Sequence, residues 1–212
     1  MWYDYSISAE PRLQKRYKDL VIAHSSVATQ TAAGIRGLHS GPAFAATQAA
    51  WRFFGNPRIT LPQLCEPLVE AARSATGLCA AFLLVALDWS RLDFAGHASK
   101  KDRIELQNRH DLGYNLLTAL ALSDQTGAPL APVCLELEAA DGLHSTRDTN
   151  VLPALSSLDG LTPVMAHVQA LELGRPIVYI IDREAPCSLS KKRGGAFQTL
   201  GFGGAFFSGA RP

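Results

Sequence analysis

The sequence has no hydrophobic run long enough to cross a membrane. Its longest apolar stretch is the ten residues 78–87, whereas a membrane-spanning helix needs about 20. The first residues contain neither the basic nor the apolar region of a signal peptide. We therefore expect a cytoplasmic protein without membrane contact.

Several common catalytic and metal-binding motifs are also missing. The four cysteines form no C-x-x-C pair, and the six histidines show no H-E-x-x-H spacing, so nothing in the sequence indicates a zinc site. The glycine-rich run at 201–204 opens no predicted helix, which argues against a phosphate-binding loop. Free thiols in a reducing compartment are the expectation for the cysteines.

Acidic residues are missing from the last part of the chain. Residues 186–212 contain four Lys/Arg, six glycines and no Asp or Glu, a composition typical of a low-complexity tail. Residues 75–185 carry fourteen acidic and eight basic residues, and residues 1–74 carry five and eight. A mildly basic DNA-contacting module before an acidic, metal-binding one fits this distribution, and an ordinary solvated surface explains the first part equally well.

The pattern of residues 1–76 predicts a small all-helical N-terminal domain. Apolar residues at helical spacing predict helices over 10–24 and 43–54. A third helix is expected to begin at a capping box formed by Thr60 and Gln63.

Residues 77–185 predict an α/β domain. The expected elements are strands at 80–88 (with a bulged continuation to 94), 113–122 and 130–137, a helix from Thr162 to Gly174, a strand at 177–182, and loops at 95–111 and 141–149. The first and last strands are apolar on both faces, which is typical of central strands. The order predicts an antiparallel meander and then a crossover to a strand beside the first.

Both central strands end in an aspartate, Asp88 and Asp182. The carboxyl ends of strands form the ligand site of open α/β sheets. Two carboxylates about 4 Å apart repel by about 4 kcal/mol at an effective dielectric near 20, so the pair needs a shared proton or a cation. Mg²⁺ or Mn²⁺ suits such a site, and paired ions promote phosphodiester cleavage. A strand-end aspartate is also a common turn or cap residue, and spacing alone leaves both interpretations open.

Three segments resemble bacterial insertion-sequence transposases, whose DDE active site lies on a ribonuclease-H-like fold. Residues 182–185, Asp-Arg-Glu-Ala, resemble the D-R-E-A-D motif of that family. Residues 88–94, Asp-Trp-Ser-Arg-Leu-Asp-Phe, resemble the D-T-T-x-L-x-[YF] segment around the first catalytic aspartate. Residues 51–59, Trp-Arg-Phe-Phe-Gly-Asn-Pro-Arg-Ile, resemble the Y-R-F-x-x-N-x-x-V signature of the N-terminal DNA-binding domain.

The resemblance implies a fold, a site and partners. The fold is an incomplete ribonuclease-H-like mixed sheet over 77–185, preceded by the helical domain. Asp88 and Asp182 match the two catalytic aspartates that hold Mg²⁺ (or Mn²⁺), and the implied partner is the double-stranded DNA of transposon ends, with a homodimer left open. The residues implied in DNA contact are Arg52, Asn56 and Arg183.

The resemblance stops at residue 186. Pro186 stands where the family has the final aspartate of D-R-E-A-D, and the later Y-x-x-R-x-x-x-E-x-x-x-x-x-K motif, which carries the third carboxylate, has no counterpart. The abrupt change of composition suggests that residues 186–212 are out of frame. We therefore expect an inactive transposase fragment that retains weak DNA binding.

Two other functions are compatible with the sequence. The first is a non-enzymatic DNA-binding modulator of a full-length transposase. The second is a ribonuclease-H-like nuclease unrelated to transposition, which needs a further acidic residue near Asp88, either Glu136 or Asp141.

Overall fold

The computed structural model describes residues 6–28, 43–107, 110–152 and 157–181. Asp182, Arg183 and the predicted tail at 186–212 lie outside these ranges. No helix within them is long and apolar enough to span a membrane. The chain divides into two compact units, Met1–Pro67 and Leu68–Pro212.

The first unit is helical, as predicted. It contains helix α1 (Pro11–Ala28), helix α2 (Ala43–Phe54) and the start of helix α3 (Leu61–Ala75). Helices α1 and α2 pack through the rings of Tyr17 and Phe53, whose centroids are 6.1 Å apart. Helix α1 continues beyond the predicted end at residue 24, because no glycine or proline follows to stop it.

The predicted capping box at the start of α3 is confirmed. The Thr60 amide donates to Gln63 Oε1 at 2.9 Å, and the Gln63 amide donates to Thr60 Oγ1 at 3.4 Å. These bonds satisfy backbone donors that the first turn of a helix leaves without partners. Gln63 Nε2 also donates to the carbonyl of Ser8, which fastens the segment before α1 to α3.

The second unit is built on a mixed, open sheet of six strands. They are β1 (Leu83–Asp93), β2 (Ile104–Glu105), β3 (Leu112–Ser123), β4 (Pro129–Ala139), β5 (Gly142–Ser145) and β6 (Ile177–Ile181). The strand order is β5-β4-β3-β1-β6, with β2 paired to β3. Only β1 and β6 pair in parallel, and the other pairs are antiparallel. The predicted meander and crossover are therefore confirmed.

Strand β1 pairs with β3 over its whole length. The register runs from Leu83 opposite Ser123 to Asp93 opposite Gly113 without a shift, so the bulge predicted at 89–94 is wrong. The irregularities lie between β3 and β4 instead. There the prolines Pro129 and Pro132 of β4 have no amide hydrogen to donate to the ladder.

Two short strands fall within predicted loops. Strand β2 lies in the predicted loop at 95–111, and β5 lies in the predicted loop at 141–149. Segments of two and four residues are too short for an alternating pattern to appear in the sequence.

Helix α4 (Ser157–Ala170) covers one face of the sheet. Its Val164 and Val168 are fully buried in the same core cluster as Leu83 and Val85 of β1. The helix begins five residues before the predicted Thr162 cap, because burial of Leu161 in that core favours an earlier first turn. It ends before Gly174, since the chain already turns at Glu172, where φ is +48°.

Asp124 fastens the start of β1. Its carboxylate accepts hydrogen bonds from the amides of Ala80, Ala81 and Phe82 at 2.7, 2.8 and 2.9 Å. The bonds from Phe82 and Ala81 are the main reason that the pKa of Asp124 lies below its ordinary value. A depressed pKa means that the charged form stabilises the fold.

We expect D124N to lower the urea midpoint at pH 7, because an amide offers one acceptor oxygen where the carboxylate offers two. The contribution of Asp124 is present above the unfolded-state pKa of about 3.9 and is lost as the pH falls through the lower folded-state value. Urea titrations at pH values from about 7 to 3 should show the two proteins converging at the acid end. E105Q is the control, since the exposed Glu105 side chain makes no hydrogen bond in the described part of the chain. A difference independent of pH would contradict the assignment.

Gly113 permits the close approach of neighbouring strands. A Cβ at this position would overlap the Leu92 carbonyl oxygen and lie 3.0 Å from Leu106 Cδ1.

We expect G113A to lower the free energy of unfolding by at least about 2 kcal/mol, because the added Cβ would collide with backbone atoms of Leu92, which cannot move aside easily. In the control G96A, the added Cβ meets none of the described atoms within 4 Å. Equal urea midpoints for G113A and G96A would contradict this packing.

Candidate functional site

Asp88 lies beside the carboxyl end of the described part of β6. The last described pair is Leu87 of β1 and Ile181 of β6, and Asp88 is the next residue of β1. The predicted end of the first strand at Asp88 is wrong, because β1 continues to Asp93. Leu87 is 3% exposed, whereas the side chain of Asp88 is exposed. Because side chains alternate along a strand, Asp88 projects from the face opposite the one that α4 covers.

The carboxylate of Asp88 has one hydrogen-bond donor among the described side chains. Ser90 Oγ donates to Asp88 Oδ2 at 3.3 Å, from the same face of the strand two residues later. Thr118 lies directly opposite Asp88 on β3. In the described part of the chain, Asp88 forms no ion pair, so its charge is available to a cation from solution.

The predicted partner of Asp88 is Asp182. It follows Ile181 in the chain and lies outside the described residues, as does Arg183. The register of β1 and β6 brings the two strands to the same level at Leu87 and Ile181. The convergence of Asp88 and Asp182 therefore stays a prediction.

Among the described residues, Asp88 is the one predicted metal ligand whose side chain can be compared with the needs of a divalent-metal site. They contain no group of three or more His, Cys, Asp or Glu side chains arranged to hold a metal ion. Mg²⁺ commonly binds through one or two carboxylates, with water and phosphate oxygens completing its octahedron. The carboxylate of Asp88, exposed and without an ion pair among the described residues, is a group of this kind.

Arg52 and Asn56, the predicted DNA contacts, lie at the end of α2. Arg52 is exposed, and its Nη2 donates to Gln48 Oε1 at 3.3 Å. Asn56 Oδ1 accepts a hydrogen bond from the Arg58 amide at 3.0 Å, which shapes the turn before α3. Asn56 thus has a structural role of its own, and DNA contact by both residues stays a prediction.

Glu136 does not join Asp88. It lies on β4 opposite Leu117 of β3, which in turn faces Trp89, so Glu136 belongs to the other face of the sheet. Its side chain is 2% exposed. The other candidate, Asp141, follows β4 and contacts His144 Nε2 at 3.0 Å. Among the described residues, Asp88 therefore belongs to no group of three or more His, Cys, Asp or Glu side chains that could hold a metal ion.

Glu136 instead forms a buried polar cluster under α4. Its Oε1 accepts hydrogen bonds from Arg147 Nε at 2.6 Å and from Ser145 Oγ at 2.9 Å. Burial and then the positive charge of Arg147 lower the pKa of the half-buried His167 on α4, and the charge of Glu136 opposes them. The ion pair with Arg147 gives Glu136 a structural role in place of the metal-binding role that the nuclease alternative required.

An aromatic cluster begins at the end of the segment 88–94, and the sequence pattern did not predict it. Phe94 is the last residue of the segment that resembles the transposase motif, and its ring packs edge-on against Tyr114 and His97. Residues 95–111 were expected to be a polar loop. The sequence did contain one indication of the cluster, since the aromatic residues Phe94 and Tyr114 lie on either side of a segment that contains lysines.

We expect R147M to lower the free energy of unfolding by about 3–5 kcal/mol, because it leaves the Glu136 carboxylate buried without its cation. The matched control is R73M, which removes an ion pair of equal length, 2.6 Å, whose side chains are 44% and 55% exposed. That control should cost only about 1 kcal/mol. Urea titration of both variants gives the comparison, and similar losses would contradict the role of burial.

Comparison with known proteins identifies no family for this chain. No protein-family model matches it, and no curated protein matches it at a significant level.

Proposed function

We propose that the chain derives from a DNA transposase of an insertion sequence, with a partial ribonuclease-H-like domain and a helical DNA-binding domain. The three motifs at 51–59, 88–94 and 182–185 support this proposal. The strand order, with a long antiparallel meander and one parallel strand added beside β1, is compatible with the proposed fold.

One observation carries the proposal. Strand β6 pairs in parallel with β1, and its last described residue, Ile181, faces the residue before Asp88. Leu87 and Ile181 are paired in this ladder, and each is followed in the sequence by an aspartate that a motif names. These two aspartates, Asp88 and Asp182, are 94 positions apart in the sequence. An arrangement with β6 at the other edge of the sheet would have separated Ile181 from Leu87.

In the proposed site, Asp88 and Asp182 bind divalent cations through their carboxylate oxygens. Bound Mg²⁺ or Mn²⁺ would supply the activation of water and the stabilisation of the leaving oxygen in phosphodiester cleavage. Asp88 contributes an oxygen ligand that is open to solvent and not neutralised by a described basic side chain. Ser90 donates to one carboxylate oxygen and so limits the rotation of the group.

The third carboxylate of such sites has no counterpart in these 212 residues. Glu184 follows Asp182 by two residues on the same segment and is a poor replacement, and Glu136 is held on the other face of the sheet by Arg147. We therefore propose that these residues bind cations and DNA and do not cleave or transfer strands.

We expect D88N and D182N each to weaken Mn²⁺ binding at least tenfold, the equivalent of about 1.4 kcal/mol. Water-proton relaxation measures the bound Mn²⁺ directly and does not require activity. D93N is the matched control, because Asp93 is an exposed aspartate on the same strand whose Oδ1 caps the Ala95 amide. Loss of binding in D88N alone, with D182N unchanged, would contradict a shared site.

The same proteins test the proposed lack of activity. Incubation with DNA containing element ends and Mg²⁺ should leave both strands intact, since a third ligand is missing. Efficient strand cleavage by the unmodified chain, abolished by D88N, would overturn the inactive-fragment proposal while supporting the site.

A second candidate is a non-enzymatic DNA-binding modulator of a full-length transposase. Arg12 and Arg16 favour it, because they lie one turn apart and exposed on α1, without an ion pair among the described residues. A gel-shift with element ends at rising salt separates the alternatives. Sequence-specific binding that persists at high salt supports a modulator, since contacts to phosphate alone weaken steeply with salt.

A further inference from the structure

The segment at 94–103, here called the arm loop, is held in one conformation although it contains no helix or strand. Arg103 Nη1 donates to the carbonyls of Phe94 and Ala95 at 2.8 and 3.0 Å, and its Nε donates to the carbonyl of Lys100 at 2.8 Å. The Ala140 amide donates to the carbonyl of Asp102 at 2.7 Å, which joins the loop to the end of β4. These contacts tie the backbone of the loop together and to the end of β4.

Two aromatic rings hold the ammonium group of Lys100. Its Nζ lies 4.9 Å from the ring centroid of Phe94 and 5.7 Å from that of Tyr114. The two rings are 5.5 Å apart at an interplanar angle of 70°, so they form a corner in which the cation sits. Ring faces attract cations through their quadrupole, and this attraction fixes a side chain that is otherwise flexible.

The charge of Lys100 is not cancelled by an ion pair. Lys100 forms none in the described part of the chain. The nearby Asp102 accepts the Tyr114 hydroxyl at 2.7 Å, and that hydrogen bond is the largest cause of its lowered pKa, with Lys100 a smaller one. The arm loop as a whole carries three basic residues and one acidic residue, and the charge of Asp141, outside the loop, also acts on Tyr114.

The arm loop is continuous with the strand that carries Asp88. Strand β1 runs without a shift from Asp88 to Asp93, and Phe94 follows it. Six residues at about 3.3 Å each separate Asp88 from the loop by about 20 Å. DNA rises about 3.4 Å per nucleotide along each strand, so this length corresponds to roughly six nucleotides of one duplex.

We propose that the arm loop contacts the phosphate backbone of double-stranded DNA, with Lys100 as its preorganised cation and Phe94 and Tyr114 as positioning residues. This inference rests on the proposed function, because it takes the duplex bound at Asp88 as the partner. A cation already fixed by the rings loses less freedom on binding a phosphate than a free lysine does. The contact carries no sequence information, since it is made to phosphate.

The test is the salt dependence of DNA binding by the full chain, measured by fluorescence anisotropy with a short duplex between about 50 and 200 mM salt. We expect K100M to bind about fivefold or more weakly and to reduce the slope of log K against log salt by about 0.9, the loss of one phosphate contact. The matched control is K101M, which removes the same charge from the neighbouring exposed residue, for which the structure gives no aromatic contact. K101M should have a clearly smaller effect.

Two further variants separate positioning from charge alone. K100R should retain most of the binding, because a guanidinium also stacks on aromatic rings. F94L keeps the lysine and removes the nearer of its two rings. It should therefore weaken binding, and adding K100M to F94L should cost less than K100M costs alone. Circular dichroism and the urea midpoint of each variant show whether the fold is retained.

The outcomes distinguish this inference from the proposed function. Equal effects of K100M and K101M, or additive effects of F94L and K100M, would overturn the role of Lys100 while DNA binding by the parent chain stands. Absence of any salt-dependent DNA binding by the parent chain would remove the DNA-binding part of the proposed function together with the inference. Loss of Mn²⁺ binding in D88N is independent of both results.

Discussion

The position of β1 between β3 and β6 is the constraint on which the rest of the second unit depends. Eleven residues of β1 pair with β3, and its first five also pair with β6. One face of this strand, at Leu83, Val85 and Leu87, is 0–3% exposed beneath α4. A strand buried and paired on both sides cannot slip by one residue without moving its whole apolar face out of the core.

That constraint explains why Asp88 is exposed while its neighbour is buried. The described part of β6 pairs with β1 as far as Leu87, and β3 pairs with β1 on its other side along its whole length. Because the register fixes Leu87 under α4 and side chains alternate along a strand, Asp88 points to the opposite face and its carboxylate is exposed. Ligand sites of open α/β sheets lie at the carboxyl ends of their strands, and Asp88 lies beside the carboxyl end of the described part of β6.

Charged groups in the second unit fall into two classes that burial separates. Glu136 and Arg147 are paired under α4 and belong to the structure, since a buried carboxylate without its cation is costly. Asp88 on β1 and Lys100 in the arm loop that follows β1 form no ion pair among the described residues. A negative and a positive group kept apart in this way suit a polyanion that carries bound divalent cations.

The helices and the main strands were predictable because their signals are local. Thr60 and Gln63 are three residues apart and form the cap that their spacing predicts, and the apolar composition of 177–181 correctly predicts a strand. Coverage on both faces is wrong for this strand, because β6 lies at the edge of the described sheet and its Ile180 is 37% exposed. The start of α4 was misplaced, because burial of Leu161 against the sheet outweighed the local signal of Thr162 and Pro163. The two short strands were missed because they exist only through their partners.

The candidate site shows the same division between local and distant information. The sequence named Asp88 and Asp182 through the apolar strands before them and through motifs, and the order of its elements predicted that the last strand lies beside the first. Only the tertiary structure decided the exact register of β1 and β6, the position of Glu136 on the opposite face, and the contact of Lys100 with Phe94 and Tyr114. Pairing between distant strands is set by the burial of whole faces in a common core, and no local spacing encodes which strand becomes the neighbour.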